Sequence, residues 1–489
     1  MKVALLHPND DIRYSNLSLG YGKGIKPQRP PETWAAILDS YQGQYSIKGH
    51  HELVVLNPNA TNEELSKKAA ECDLFGMSDW YSNHLNCTNI ARLVKEKNPS
   101  TKIVLGGPNA TLVAQQTMKN YPCIDYIVSR DGEDAFVGLL DGEDYKNIPN
   151  LWYRKNGEIF RTFEDWGEKR TDLNKIPLWD FRNFGDINER LSDYLLMLKD
   201  GNFDPWKVPP ISIESFRGCI KSMRKKEGPC KFCYESNTGK ALSPENFWKQ
   251  IQHLDSSFAP GLRKVVYMAD DIFTISPKRI IDIAETKPSN LEISIRAYSY
   301  LPDLARLSDT VLRKLAENLR HIGVFNLFFG SETYDSLVLN RMNKKGVSVD
   351  EAKRVMNILY HYGDIRTTMA YLIGYSGETK ESLETNLNSL KQFMSMGDIL
   401  ERVYFSKAVP FRGTVWGNEI ENNEQICSEY KKLTGKNLKE DDYPDYEILS
   451  DLIIEHTTSV SKNDVEDYIR RMKEIVGDKP KGGFLLEEN

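Results

Sequence analysis

The first 145 residues alternate between short apolar runs and longer segments with helical patterning. Thr61-Asn-Glu-Glu64 is a capping box, in which the hydroxyl can accept a backbone N–H while Glu64 reaches back, so it predicts a helix start. Near-continuous apolar strands separated by helices predict an α/β domain with a Rossmann-like parallel sheet covered on both faces. The predicted strands are residues 3–6, 53–56, 74–77, 103–105 and 126–128.

Polar residues and glycines follow several of these strands. Ligands of open parallel sheets bind beyond the carboxyl ends of the strands. Glycines there let a backbone approach a ligand closely, although they are also ordinary turn formers. The candidate cofactor-binding residues at this edge are Ser78, Gly106, Gly107, Asn109 and Glu133.

A second alternating region follows a connector over residues 146–208, which includes a predicted hairpin at 151–159 with an Asn-Gly turn. From 209 to 415 strand and helix alternate about six times. This predicts a (β/α)6 partial TIM barrel with its chemistry at the carboxyl ends of the strands. The predicted strands are 210–216, 264–269, 292–297, 323–329, 367–373 and 402–406.

The last segment, 416–489, is predicted to be a helical extension. It holds 18 acidic against 10 basic residues, a net charge of −8 in a chain whose net charge is −6. A solvated helical cap is the default interpretation of such a segment. It offers no basic face for nucleic acid.

The chain's partners and compartment follow from composition. No apolar run approaches the length of a membrane span. The first residues are typical of a strand and not of a signal peptide. Seven cysteines, three of them clustered, suit a reducing compartment. We therefore expect a cytoplasmic protein that binds neither membrane nor nucleic acid.

Cys219, Cys230 and Cys233 follow the first predicted barrel strand. Thiolates are the ligands of iron–sulfur clusters. Three of them leave one iron of a 4Fe–4S cluster open, which suggests a catalytic role. The alternative is structural zinc, which requires four ligands that are usually arranged in two close pairs. Here there is one Cys-x-x-Cys and no histidine nearby, so a distant histidine would have to complete the site.

The carboxyl ends of the predicted barrel strands carry carboxylates, an arginine and glycines. Such a set suits a zwitterionic, nucleoside-like ligand, because carboxylates bind its amine and ribose hydroxyls while a guanidinium binds its carboxylate. The candidate residues are Asp270, Arg296, Ser331, Glu332 and Gly374.

Taken together, these motifs resemble the radical S-adenosylmethionine (SAM) superfamily, in the branch with an N-terminal cobalamin-binding-type domain. The resemblance spans roughly residues 1 to 415. It rests on Arg-Gly-Cys219, Cys-Lys-Phe-Cys233, Asp-Asp-Ile-Phe273, Gly-Ser-Glu332 and Leu-Ile-Gly-Tyr-Ser-Gly-Glu-Thr379, with Val-Leu-Gly-Gly-Pro-Asn-Ala-Thr111 in the first domain.

The resemblance implies roles for particular residues. The three cysteines would bind three irons of a 4Fe–4S cluster, and the amine and carboxylate of SAM would chelate the fourth. Phe232 would lie beside the adenine, and Glu332 and Arg296 would contact the ribose or methionine portions. One electron passed from the reduced cluster into a C–S bond would release a 5′-deoxyadenosyl radical. The sequence identifies no catalytic acid or base.

Two features depart from the family pattern. Ten residues, 220–229, separate the first two cysteines where the family has three; this insertion carries Lys221, Arg224, Lys225 and Lys226. It is interpreted as a surface bulge or as a contact for an anionic substrate. The cobalamin motif Asp-x-His-x-x-Gly is absent, and only His7 and His84 occupy plausible strand-end loops. Either cobalamin binds without a protein histidine, or the domain has lost it.

The resemblance favours methylation of an unactivated carbon of a small-molecule or peptide substrate, with cobalamin as a possible cofactor. An electron donor such as flavodoxin or ferredoxin would reduce the cluster. The alternatives are a cobalamin-free dehydratase, epimerase or rearrangement enzyme, and a zinc-stabilised binding protein.

Overall fold

The computed structural model describes residues 1–9, 51–162, 172–178, 187–198, 203–206, 208, 211–224, 227–234, 240–479 and 481–482. Within them, no helix is long and apolar enough to cross a membrane. The cytoplasmic location stays a prediction.

The N-terminal domain is built on one seven-stranded sheet of order β2-β1-β3-β4-β5-β6-β7. Its first five strands are parallel and coincide with the five predicted strands. The strands are β1 (Lys2–Leu6), β2 (Glu52–Val55), β3 (Leu74–Ser78), β4 (Lys102–Gly106), β5 (Tyr126–Val128), β6 (Leu151–Lys155) and β7 (Glu158–Arg161).

Helices cover both faces of this sheet, as the apolar strands predicted. The capping box at Thr61 starts the first of them. Alternate residues of β1 contribute to two separate cores, Ala4 and Leu6 to one and Val3 and Leu5 to the other. The helices are α1 (Asn62–Ala69), α2 (His84–Lys97), α3 (Pro108–Asn120) and α4 (Glu133–Leu140).

The predicted hairpin forms and joins this first sheet. Asn156 and Gly157 have φ values of +52° and +83°, as a two-residue turn of this type requires. Strand β6 pairs antiparallel with β5. The hairpin that the sequence assigned to a connector therefore extends the N-terminal sheet.

The second sheet is a partial barrel. Its order is β8-β11-β12-β13-β14-β15-β16, with all neighbours parallel. The first six of these strands correspond to the six predicted ones, and β16 adds two residues near the C-terminus. Its strands are β8 (Ile211–Ile213), β11 (Lys264–Met268), β12 (Ile293–Ser299), β13 (Val324–Glu332), β14 (Arg366–Ile373), β15 (Leu400–Lys407) and β16 (Lys481–Gly482). The short strands β9 (Phe216–Arg217) and β10 (Lys240–Ala241) pair antiparallel in a separate two-stranded sheet.

Helices pack on the outer face of this barrel sheet. Ser243, Ser276 and Ser348 cap three of them, and proline occupies the first turn of two. The helices are α5 (Ile187–Leu198), α6 (Ile220–Met223), α7 (Pro244–Ser257), α8 (Pro277–Glu285), α9 (Leu301–Ala305), α10 (Asp309–Ile322), α11 (Ser336–Arg341), α12 (Val349–Gly363) and α13 (Lys380–Met394).

The C-terminal extension is helical, as predicted, but it is more than a solvated cap. Trp416, Tyr430 and Ile453 belong to an apolar cluster that it shares with barrel residues. Asp441 and Asp442, at the centre of its acidic sequence, are buried. Its helices are α14 (Val415–Glu421), α15 (Glu424–Thr434), α16 (Tyr446–Thr457) and α17 (Lys462–Val476).

The turn between α10 and β13 gives a test of the barrel packing. Gly323 has a φ of +113°, and a Cβ there would lie 2.3 Å from the carbonyl oxygen of Ile293 on β12. We expect Gly323→Ala to lower the free energy of unfolding by more than the ~1–2 kcal/mol that a left-handed alanine costs. Urea unfolding measures the change.

Gly261→Ala is the matched control. Gly261 also has a positive φ, +73°, but no atom lies within 4 Å of its Cβ position. It therefore carries the conformational cost without the clash. Equal losses in the two variants would contradict this account of Gly323.

Candidate active site between the two parallel sheets

The cysteine loop begins at Cys219, which caps α6. The backbone N–H of Cys233 donates to the carbonyl of Cys230 at 3.0 Å, closing a tight turn between them. Among the described residues, these three sulfur atoms do not form a group that lies within 4.8 Å. Thiolates are the ligands of iron–sulfur clusters, so these three cysteines are the candidate cluster ligands.

Two neighbouring carboxylates hold the chain that leads into this loop. Asp270 accepts hydrogen bonds from the backbone N–H and hydroxyl of Ser215, at 2.5 and 2.6 Å. Asp271 accepts one from the N–H of Gly218 at 2.9 Å. Burial raises the pKa of Asp270 to about 6, against the lowering effect of the Ser215 hydrogen bonds. The geometry makes both aspartates positioning residues for Cys219, and a cofactor contact of Asp270 stays a prediction.

The insertion between the first two cysteines is fastened to the protein. Lys221 donates to the carbonyl of Gly228 across the loop at 2.7 Å. Arg224 pairs with Asp303 at 2.8 Å. The amide of Asn343 donates to two insertion carbonyls, each at 2.8 Å. The described part is therefore a docked loop; Lys225 and Lys226 lie outside the described residues.

Beside the cysteines lies an ion pair between Lys344 and Glu332. Sequence reasoning identified Glu332 as a site residue but not Lys344. The ammonium of Lys344 is 2.9 Å from the Glu332 carboxylate and 5.6 Å from the ring centroid of Phe232. Burial lowers the pKa of Lys344, but the charges of Glu332 and Cys230 outweigh burial and raise it. Glu332 has a φ of +63° at a bulge ending β13. The sequence signal for Lys344 was its place in the segment Leu339-Asn-Arg-Met-Asn-Lys-Lys-Gly346, which follows Gly-Ser-Glu332 in the chain.

The other predicted barrel residues lie at different levels. The hydroxyl of Ser331 accepts a hydrogen bond from Tyr334 at 3.4 Å. The N–H of Gly374 donates to Glu378 at 2.5 Å. Arg296 lies farther down, inside the barrel, with its guanidinium 4.9 Å from the Trp206 ring centroid. The cofactor contacts of all three stay predictions.

At the carboxyl edge of the first sheet, four predicted residues surround Asp79. Its N–H donates to the carbonyl of Gly106 at 2.7 Å, and the amide of Asn109 donates to its carboxylate. Gly107 has a φ of +111°, and a Cβ there would lie 2.8 Å from the Asp79 carbonyl oxygen. Ser78 accepts a hydrogen bond from the indole of Trp80 at 3.1 Å.

Trp80 lies at the switch point of this sheet. Strand order reverses between the neighbours β1 and β3, and such reversals are where ligands bind in doubly wound folds. The indole is 38% exposed and lies edge-on to His7, with ring centroids 6.3 Å apart. Sequence reasoning missed Trp80 because it follows its strand as a single aromatic residue without a motif.

His84 lies buried between two carboxylates. Its Nδ1 is 2.9 Å from Asp79, and its Nε2 is 2.7 Å from Asp442 of the C-terminal extension. Burial lowers the pKa of His84, but the two carboxylates outweigh burial and raise it to about 10. Burial likewise acts to raise the pKa of Asp442, and the bond from His84 outweighs it and lowers that pKa.

A part-buried charged cluster around Arg217 also joins the N-terminal domain to the barrel. Arg217, two residues before Cys219, donates to Glu133 at 2.7 Å and to Glu214 at 2.7 Å. Asp131 lies 3.6 Å from the same guanidinium. Glu133, a predicted cofactor-binding residue, is thus engaged at the domain interface. The carboxyl edges of the two sheets consequently face one another.

Comparison with known proteins agrees with this division. Residues 42–140 match the family model of the B12 binding domain. Residues 213–390 match the model of the Radical SAM superfamily.

The chain belongs to the radical SAM superfamily, in the branch with an N-terminal B12-binding domain. It is accordingly a radical SAM enzyme, and the resemblance drawn from the cysteine loop is confirmed. The Radical SAM domain implies a 4Fe–4S cluster at these cysteines in place of the zinc alternative.

Two curated relatives and one solved structure are similar over most of this radical SAM chain. An uncharacterized methyltransferase, PH0819, of Pyrococcus horikoshii is 26% identical over 404 residues, covering 79% of each chain. An anaerobic magnesium-protoporphyrin IX monomethyl ester cyclase of Cereibacter sphaeroides is 24% identical over 397 residues; the match covers 78% of this chain and 58% of the cyclase.

The solved structure is the radical SAM methyltransferase TsrM from Kitasatospora setae, with cobalamin and a [4Fe–4S] cluster bound. It is 15% identical with a TM-score of 0.61, and the match covers 87% of this chain and 78% of TsrM. This likeness supports the fold of both domains.

Membership implies a 4Fe–4S cluster, SAM and cobalamin as cofactors, and the residues present fit them. Cys219, Cys230 and Cys233 supply three thiol side chains on one short loop, the ligand type that a 4Fe–4S cluster takes. The switch point beside Trp80 gives the B12-binding domain an exposed aromatic surface. Both ring nitrogens of His84 are held by carboxylates, so His84 is not available to cobalt while that network is intact.

The His84 network has a testable pH dependence. His84→Gln leaves two buried carboxylates without their cation, so we expect the free energy of unfolding at pH 7 to fall by about 3–5 kcal/mol. The folded-state pKa of about 10 lies above the ordinary 6.5. The wild-type protein therefore loses this contribution as pH rises from 6.5 through about 10. Urea unfolding at pH 6.5, 8 and 10 measures the effect.

His321→Gln is the control, because His321 is exposed on α10. It should unfold like the wild type at each pH. The assignment fails if the His84→Gln protein shows the same decline with pH as the wild type.

Proposed function

We propose that this protein is a cobalamin-dependent radical SAM methyltransferase that methylates an unactivated carbon of a small-molecule or peptide substrate. The observation that carries the proposal is that the carboxyl ends of the strands in the N-terminal sheet face those in the barrel sheet. The barrel edge presents the cysteine loop and the N-terminal edge presents the B12-binding switch point, and Arg217 bridges them through Glu133. A substrate between these edges can meet both cofactors.

When bound, the cluster and SAM supply a 5′-deoxyadenosyl radical, and cobalamin supplies a transferable methyl group. The residues of this chain hold and shield these groups. In our proposal the three cysteines hold the cluster, Phe232 lies against the adenine, and the Lys344–Glu332 pair orients the polar parts of SAM. A donor such as flavodoxin or ferredoxin would deliver the electron.

The name of the Pyrococcus relative, a methyltransferase, supports methyl transfer. The name of the Cereibacter relative, a ring cyclase, supports a second candidate: a radical rearrangement or ring closure without methyl transfer to carbon. Isotope-labelled methyl-SAM separates the two, since only the first puts the labelled methyl group on a product carbon.

The cluster assignment is tested with Cys230→Ala. We expect the anaerobically reconstituted variant to lose its 4Fe–4S absorbance, and its dithionite-dependent release of 5′-deoxyadenosine to fall to background, since one iron loses its thiolate. Absorbance, iron content and chromatography of the nucleoside measure this.

Cys427→Ala is the matched control, because Cys427 lies outside the loop, in α15. It should keep both signals. Retention of a full cluster by Cys230→Ala would contradict the role of the loop.

Cobalamin binding is tested with Trp80→Ala. Losing one aromatic face at the switch point should weaken hydroxocobalamin binding about tenfold, or about 1.4 kcal/mol. Equilibrium titration of the corrinoid absorbance measures it.

Tyr362→Ala gives the comparison. Tyr362 is 39% exposed, close to the 38% of Trp80, and it lies on α12, outside the B12-binding domain. Equal affinities in the two variants would place cobalamin elsewhere.

A further inference from the structure

The barrel sheet has two faces that differ in exposure. On its outer face, residues such as Ile295, Phe329 and Val403 are fully buried against the helices. Several residues on the inner face of the same strands are partly exposed, although Arg296 and Thr368 there are buried. The partly exposed ones include Tyr298 on β12, Phe328 on β13, Ala370 and Leu372 on β14, and Tyr404 and Ser406 on β15. Solvent therefore reaches part of the inner face of the barrel, which we call the lumen.

Aromatic rings line this lumen across four strands. The ring centroids of Tyr267 and Tyr298 are 5.8 Å apart, those of Tyr298 and Phe328 4.7 Å, and those of Phe328 and Tyr404 5.6 Å. The last two lie on β13 and β15, and only Ala370 and Thr368 of β14 come between them.

Positive charge lies deeper in the lumen. The guanidinium of Arg402 is 3.7 Å from the ring centroid of Trp206, and that of Arg296 is 4.9 Å from it. Trp206 also contacts Phe325 near the start of β13, so it lies toward the amino-terminal ends of the barrel strands.

Arg402 has no carboxylate within ion-pair distance among the described residues, and its Nε is buried without a hydrogen-bond partner there. Its neighbour Glu401 instead binds Asn326 and Arg366. Asp271, nearer the rim, binds the N–H of Gly218. Arg402 is thus a positive charge that the described protein leaves without an anion.

We propose that the lumen binds the substrate through a planar ring that bears a carboxylate. The ring lies among Tyr298, Phe328 and Tyr404, and the carboxylate meets Arg402, with Arg296 adding positive charge. This assignment rests on the proposed function: the lumen anchors one end of the substrate, and the end to be methylated reaches the space between the two carboxyl edges. It deepens that function by naming a substrate class.

The physical argument has two parts. Aromatic faces favour planar partners over saturated rings of similar size. A guanidinium away from bulk water gains from a bidentate carboxylate, and a neutral amide offers no such charge. Neither the aromatic rings nor the guanidinium alone would select a ligand that is both planar and anionic.

The test measures equilibrium binding of three probes to the full chain as purified, by isothermal titration calorimetry. The probes are 2-naphthoate, its neutral analogue 2-naphthamide and the saturated anion cyclohexanecarboxylate. We expect 2-naphthoate to bind at least tenfold more tightly than either of the others. Equal binding of naphthoate and naphthamide, or no binding of any probe, overturns the proposal.

Variants localise the site. Arg402→Met should weaken 2-naphthoate at least tenfold and leave 2-naphthamide unchanged. Arg354→Met is the control: Arg354 is 32% exposed and pairs with Asp309 on the outer helices, so its loss should change nothing. Unaltered naphthoate binding by a folded Arg402→Met protein overturns the assignment.

Ala370→Phe fills the lumen without changing charge, and it keeps the test decisive if the arginine variant does not fold. It should abolish binding of all three probes, and retained binding counts against the lumen. Because these measurements need neither cluster nor cobalamin, their failure is distinguishable from a failure of SAM cleavage or methyl transfer.

Discussion

The ion pair between Arg217 and Glu133 sets the geometry on which the rest of the site depends. It is part-buried and joins residues 84 positions apart in the chain. Its value lies less in net stability than in specificity, because desolvation offsets much of the attraction in a buried pair. Since Arg217 is two residues from Cys219, the bond that aligns the domains also fixes the start of the cluster loop.

The acidic C-terminal extension works as a second fastening between the domains. Asp442 takes part in the His84 network, and the hydroxyl of Tyr81 donates to the carbonyl of Pro444 at 2.5 Å. Two independent links thus hold the B12-binding domain over the barrel. Arg217 pairs with Glu133 and His84 pairs with Asp442, so the negative charge of Asp442 in the extension is structural.

Charge is distributed differently at the rim and inside the barrel. At the rim, Lys344 is balanced by Glu332, which suits a zwitterion that must be oriented without large net attraction. In the lumen, Arg402 lacks such a balance among the described residues. In our proposal the barrel therefore separates two recognition tasks along its axis, with SAM at the rim and the carboxylate of the substrate below.

The sequence by itself determined the local elements and the identity of the cluster ligands. Apolar runs predicted eleven strands, because strand burial imposes its pattern on neighbouring residues. The three cysteines could also be identified from local sequence, because their role as ligands depends on residue type within one short segment. The Asn156-Gly157 turn likewise follows from local backbone preference.

Only the tertiary structure decided which polar residues bind each other. The hairpin's place on the first sheet, the pairing of Glu133 with Arg217 and the role of Asp270 in holding Ser215 each depend on distant segments. His84 and Asp442 are 358 positions apart, and no local pattern encodes such a contact. Burial makes these partners obligatory, since a buried charge without a partner is costly, but the partner's identity is fixed only when the chain is folded.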